Sequence, residues 1–261
     1  MKAIKFLTII SAIFLICFSC EVKSYQPEQD VSFSVSAPLT KSINDGLSAT
    51  LLYAKVFDAD HNLISSGTYT RGDSGWEVQF RLVPGVYSFT FFACSPEADA
   101  FEFEDEYMTL SYSLMDMNSD TEDAYWESLA DFKVTTSISR TVTLKRPFAF
   151  IQLSSDTFID MNLNNATSSF IITGAMSTKL NLITGESSDA VRKAIYSEAK
   201  VSDYTIGRHP VPAMAYVLVP EEGVIAAEVS YKITLADGKY SEGKVNDVPL
   251  QRNYKTTLKD Y

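Results

Sequence analysis

The amino-acid sequence predicts an all-β fold of the sandwich type. Three observations carry that expectation: apolar residues alternate with polar ones in short runs, clusters rich in Gly, Pro, Asp and Asn separate the runs, and helical periodicity is scarce. Alternation sends successive side chains to opposite faces of a strand, so one face is buried and the other is wet. Several such strands with turns between them bury their apolar faces by packing as two sheets.

The N-terminus stands apart from this pattern. Lys2 and Lys5 precede an apolar run over residues 6–18, too short for a spanning helix, which needs roughly 20 residues. A charged start, a short apolar centre and small residues at its end make a secretory signal over residues 1–19. Ser19 before Cys20 meets the small-residue requirement of cleavage, whereas Ile16 before Cys17 does not. LICFSC therefore resembles a bacterial lipobox, with Cys20 lipidated as the first mature residue and Cys17 discarded. Residues 20–30 are polar and aperiodic, and read as a tether.

The body begins with VSFSVSAPL, which alternates Val31, Phe33 and Val35 against serines. LLYAKVFDADHNLISSG reads as strand, turn, strand. WEVQFRL alternates Trp76, Val78, Phe80 and Leu82, and YSFTFFA sets Tyr87, Phe89 and Phe91 on one face. In the second half RTVTLKRPFAFIQL, AYVLVP, AAEVSYKITLADGKYSEGKV and NYKTTL continue in the same style. One or two short helices are expected: SSDAVRKAIYSEAK has a Ser/Asp start with Val191 and Ile195 one turn apart, and DTEDAYWESL is a second case. FDADHNLISSG followed by LVPGVYSFTF echoes TLADGKYSEG followed by DVPLQRNYKTTL. The prolines of these Val-Pro pairs are expected between ladder strands, because proline lacks a donor. The echo predicts two related domains, residues 31–142 and 143–261, divided where a Thr/Ser run precedes LKRPFAF.

Composition narrows the function. The formal net charge is −11, and loss of Lys2 and Lys5 makes the mature chain more acidic, which argues against nucleic acid and anionic lipid as electrostatic partners. With Cys20 carrying lipid, Cys94 has no partner for an intrachain disulfide. Stability must then come from buried apolar surface, which 46% hydrophobic residues with 16 Phe and 14 Tyr supply.

Catalytic chemistry is not evident. His61 lies in an expected hairpin turn and His209 in the Gly/Pro-rich loop GRHPVP, and HExxH, GxSxG and phosphate-cradling glycine loops are lacking. Cys94 is expected to pack, since nothing nearby would lower its pKa. The reading is therefore non-enzymatic, with no cofactor. One segment approaches a calcium loop: in DMNSDTEDAYWE, Asp116, Asn118, Asp120 and Glu122 alternate and Glu127 falls at the twelfth position. Thr121 stands where that loop needs glycine, and a solvated acidic loop is the competing reading. Trp76, on an alternating face, is expected in the core. Trp126, in the acidic segment, is the better exposed candidate for stacking on a sugar.

Several phrases in order carry a family resemblance: the lipobox ending at Cys20, APLTKSINDG, LVPGVYSFTFFA, NSDTEDAYW, TLKRPFAFIQL and VPLQRNYKTTL. Together they resemble the fimbrillin-like, Mfa-like outer-membrane lipoproteins of Bacteroidota, a group that includes domain families of unknown function. The resemblance implies two transthyretin-like (Greek-key) sandwich domains in tandem, lipid anchoring at the outer membrane, and a role as fimbrial subunit, anchor, accessory protein or adhesin. Implied partners are the membrane through the lipid, fimbrial subunits, and host or bacterial surface proteins. In pilins of this group a protease cuts after a basic residue and removes the first strand, and the groove takes a strand from a neighbour. Here the basic residue after the first strand is Lys41, and the first arginine is Arg71. That departure, with the chain ending at Tyr261 soon after its last strand, favours an anchor or accessory protein over a shaft subunit. The alternative is a glycan-binding surface lipoprotein.

Overall fold

The computed structural model describes residues 26–38, 48–220 and 223–259; Cys20 and Lys41 lie outside them. Five strands come first: β1 (Gln29–Ser36), β2 (Leu51–Phe57), β3 (Leu63–Thr70), β4 (Trp76–Leu82) and β5 (Gly85–Cys94). A hairpin of β6 (Phe101–Glu104) and β7 (Tyr107–Leu110) follows, then β8 (Tyr125–Val134) and β9 (Ile138–Thr143). The second half holds β10 (Phe148–Leu153), β11 (Thr167–Asn181), β12 (Ser187–Lys200), the short pair β13 (Thr205–Ile206) and β14 (His209–Pro210), β15 (Ala213–Leu218), β16 (Ile225–Thr234), β17 (Tyr240–Leu250) and β18 (Lys255–Leu258).

These strands form the same sandwich twice. In the first, β4-β1-β9 packs over β3-β2-β5-β8, with β1 central, antiparallel to β4 and parallel to β9. In the second, β15-β10-β18 repeats that arrangement, with β10 antiparallel to β15 and parallel to β18. The facing sheet places β12 and β16 beside β11, and β17 beside β16. Alternation explains the first core directly: Trp76, Val78, Phe80 and Leu82 are buried while the residues between them are exposed. They lie beside Val31, Phe33 and Val35 of the same sheet and face Phe89 and Phe91 of the other, all in one apolar cluster.

The topology corrects the echo read from the sequence. The β4–β5 connection, Leu82-Val83-Pro84-Gly85, corresponds to the β15–β16 connection that starts Leu218-Val219-Pro220. Val248-Pro249 instead lies within β17, where Pro249 faces Ala226. β17 is an edge strand, so the missing N–H costs no ladder bond on its outer side.

Two expected helices are strands. SSDAVRKAIYSEAK is β12, paired along β11. Its buried residues are Ala194 and Tyr196, two apart, while Ile195 between them is exposed. The Val191–Ile195 spacing that mimicked a helical turn is incidental, and pairing with β11 overrides local propensity. Residues 125–129 of DTEDAYWESL begin β8, which pairs with β5. Among the described residues the only helical segment is a single 3-10 turn at Asp156–Phe158, capped by Ser155.

The β6–β7 hairpin, inserted between β5 and β8, joins the second sandwich: β7 pairs with Lys179–Asn181 at the far end of β11. Its aromatics then meet the outer face of the first sandwich, with the Tyr53 and Phe103 rings 4.5 Å apart and Phe92 against both Phe101 and Phe103. The second core thereby takes in Phe92, Cys94 and Trp126 from first-sandwich strands.

Candidate functional site

The element with the clearest functional geometry is β1. It is bonded on both sides, from Gln29 to Val35 along β4 and from Val31 to Ser36 along β9. Phe33 is fully buried, its ring 4.9 Å from Phe89 and 5.1 Å from Phe91. Between these apolar anchors, Ser32 Oγ donates to the Ile138 carbonyl and Ser34 Oγ to Glu77. Withdrawal of β1 would leave a groove floored by aromatic rings and walled by two strands with unpaired backbone groups, the features an incoming extended segment recognises.

The acidic segment proves to be structural scaffolding along the second sandwich. Asn118 bonds Met214 through both backbone and side chain and donates to Ser168 Oγ and the Lys200 carbonyl. Asp120 accepts from the Tyr216 hydroxyl at 2.8 Å. Glu127 pairs with Lys145 at 3.0 Å. Asp123 is fully buried and takes two bonds from Arg146, 2.5 and 2.6 Å, and one from the Tyr125 hydroxyl. Burial pushes the Asp123 carboxyl upward and the Arg146 bonds oppose it; burial works against the Arg146 charge, and Asp123 more than reverses that. Glu122 is buried, with one carboxylate oxygen lacking a hydrogen bond; burial pushes its pKa up to about 7. Among the described residues no three His, Cys, Asp or Glu side chains gather as metal ligands. Of the five calcium-loop candidates, Asn118, Asp120 and Glu127 are engaged separately with different protein partners.

The tryptophans are not a platform. Trp76 is fully buried in the first core. Trp126, expected to be exposed, is 9% accessible and donates from Nε1 to the Leu182 carbonyl at 2.9 Å. It belongs to the apolar cluster of the second core and is held by the turn after β11, which the acidic character of its neighbours could not reveal. Cys94 is buried, and burial pushes its thiol up to about 12. His61, in the β2–β3 turn at φ 63°, pairs with Glu106 at 2.9 Å. His209 pairs with Asp156 at 2.8 Å beside a cleft of about 490 Å³, lined also by Ser154, Thr157, Ile206, Thr257 and Lys259.

The family model that covers this architecture matches residues 27–261. The chain belongs to a family of unknown function, DUF6562. No curated protein matches the sequence. Beyond DUF6562, the fold is that of a candidate polysaccharide-binding protein from Bacteroides thetaiotaomicron, at TM-score 0.52 and 13% identity, over 84% of this chain and 80% of that one. A candidate adhesin from the same organism aligns at TM-score 0.52 and 13% identity, over 91% and 93%. Another, from Bacteroides ovatus, aligns at TM-score 0.50 and 10% identity, over 85% and 83%. The double sandwich is thus shared with adhesin-type proteins of Bacteroidota at very low identity.

Proposed function

We propose that this protein is a lipid-anchored, non-enzymatic component of the outer membrane that works through protein contacts, as a fimbrial anchor, accessory subunit or adhesin. The observation that carries the reading is the place of β1, a short, alternating N-terminal strand held as the central member of its sheet. Cys20 supplies the anchor and residues 20–30 the tether. In the intact chain β1 fills its own groove, which suits an anchor or accessory protein, and a cut after Lys41 would free that groove for a partner's strand. The units of this reading are the sandwiches 31–142 and 143–261, with β6 and β7 lent to the second.

Deleting residues 25–41 and adding a labelled VSFSVSA peptide tests strand addition. Saturable binding, lost when the peptide's Phe becomes Ala, is expected; no binding by a folded deletion variant refutes the groove. Separately, Cys20→Ala should move the protein from the membrane fraction to the soluble one, and unchanged fractionation refutes the anchor.

Glycan capture is the second reading, and it rests on the His209 cleft, where hydroxyls, a carboxylate and an apolar Ile206 face share one surface. The Bacteroides protein described as polysaccharide-binding shares the fold. A glycan array with wild type and His209→Ala decides it: silence from both ends the reading.

A further inference from the structure

A binding motif of three residues carries weight only where the fold displays it as recognition requires. RGDSG, residues 71–75, forms the connection from β3 to β4. The Gly72 N–H donates to the Gly75 carbonyl at 2.7 Å, and the Gly75 N–H returns a bond to the Gly72 carbonyl at 3.4 Å. Asp73 and Ser74 alone therefore make the tip of a tight hairpin, and Gly72, Asp73 and Ser74 are all exposed. The base of the tip is held firmly: the Arg71 N–H and Trp76 Nε1 both donate to the Thr50 carbonyl, at 2.9 and 3.2 Å. A loop fixed in this way loses little conformational freedom when a partner takes it.

The two glycines differ in what the fold asks of them. Gly75 has φ 128°, and a Cβ there would stand 2.2 Å from the Val35 carbonyl oxygen, so the turn requires glycine. Gly72 has no left-handed φ, and a Cβ there would meet only the Gly75 carbonyl at an ordinary 3.6 Å. The hairpin itself accepts alanine at 72. A bare backbone at that position serves a surface approaching the tip from outside.

The charges are left open as well. On the β16–β17 turn Asp237 and Lys239, also two residues apart, close on each other at 2.8 Å. Among the described residues Arg71 and Asp73 form neither an ion pair nor a side-chain hydrogen bond. The Arg71 guanidinium rests 5.4 Å from the Trp76 ring, a contact weaker than the bidentate pair that a partner's carboxylate offers. A free carboxylate such as that of Asp73 completes the oxygen shell of a divalent cation that a partner holds with a position open. One tip thus presents a cation and an anion with no side chain between them.

We propose that the Arg71-Gly72-Asp73 tip docks a cell-surface receptor that holds a divalent cation for the Asp73 carboxylate and an acidic pocket for the Arg71 guanidinium. Integrin-type receptors of animal cells carry that pair of groups. The proposal rests on the adhesin reading and supplies its partner class. Gly72 and Asp73 lie outside β1 and both strands paired with it, so failure here leaves strand addition and lipid anchoring to their own tests.

The test is binding of the immobilised full chain to a panel of purified integrin headpieces in magnesium-containing buffer. Saturable binding is expected, abolished by EDTA and competed by a soluble RGDS peptide. Asp73→Glu keeps the charge but moves the carboxylate by one methylene, and Gly72→Ala adds a methyl group that the hairpin accepts. Each should weaken binding about tenfold or more, with the melting temperature unchanged. No binding by the wild type to any headpiece, binding that survives EDTA or the peptide, or undiminished affinity in either variant overturns the proposal.

Discussion

Asp123→Asn isolates the contact that pins the chain where it passes between the two cores. Asp123 lies on the segment leading into β8, and Arg146 two residues before β10; their side chains are 0% and 5% exposed. The substitution keeps the shape of the carboxylate and removes its charge, leaving the guanidinium buried without its bidentate carboxylate partner. Breaking one side of a buried, bidentate pair costs about 3–5 kcal/mol. For a chain of this size each kcal/mol lowers the melting temperature by about 2–4 °C, so the expected fall is about 6–20 °C. Calorimetry at neutral pH on wild type, Asp123→Asn, Arg146→Met and the double variant measures it. The double variant should recover much of the loss, because a neutral pair of similar volume removes the stranded charge. A fall of less than about 2 °C in the single variant, or losses that simply add in the double, would refute the argument that the charges act as a buried unit.

Three further outcomes follow from buried groups. Glu122 is raised from an ordinary 4.5 to about 7 by burial, so the folded chain holds its proton more tightly than the unfolded one. Its penalty is absent below pH 4.5, grows through pH 7 and reaches about 3 kcal/mol above it. Glu122→Gln should therefore stabilise the protein to urea at pH 8 and not at pH 4, and an equal effect at both refutes the assignment. Phe33→Ala removes the ring packed on Phe89 and Phe91 and should cost about 3–5 kcal/mol in denaturant unfolding; a loss below about 1 kcal/mol would mean β1 does not anchor the first core. Cys94, its thiol held at about 12, should resist a thiol reagent until the chain unfolds, and rapid labelling of the native protein would contradict its burial.

The sequence by itself determined what depends on neighbours along the chain. Period-two alternation marked β1, β4 and β5, and the apolar residues it singled out are the first core. Turn residues marked the strand ends, and the charge pattern at the N-terminus supplied the anchor now proposed at Cys20. Even the repeat was legible as a pair of Leu-Val-Pro connections, but local similarity matched the wrong hairpins. Tertiary structure alone decided what depends on pairing across long separations. β12 carries a spacing that suits either a helical turn or a strand, and only the open flank of β11 selects the strand. Trp126 sits among acids, and only the second core and the Leu182 carbonyl make it interior. Asp123, Glu122 and Asn118 read as a solvated loop because the sequence does not show that Arg146, Met214 and Tyr216 come to meet that segment. Backbone and polar groups are satisfied by whichever partner the fold brings within reach, and that partner lies tens of residues away.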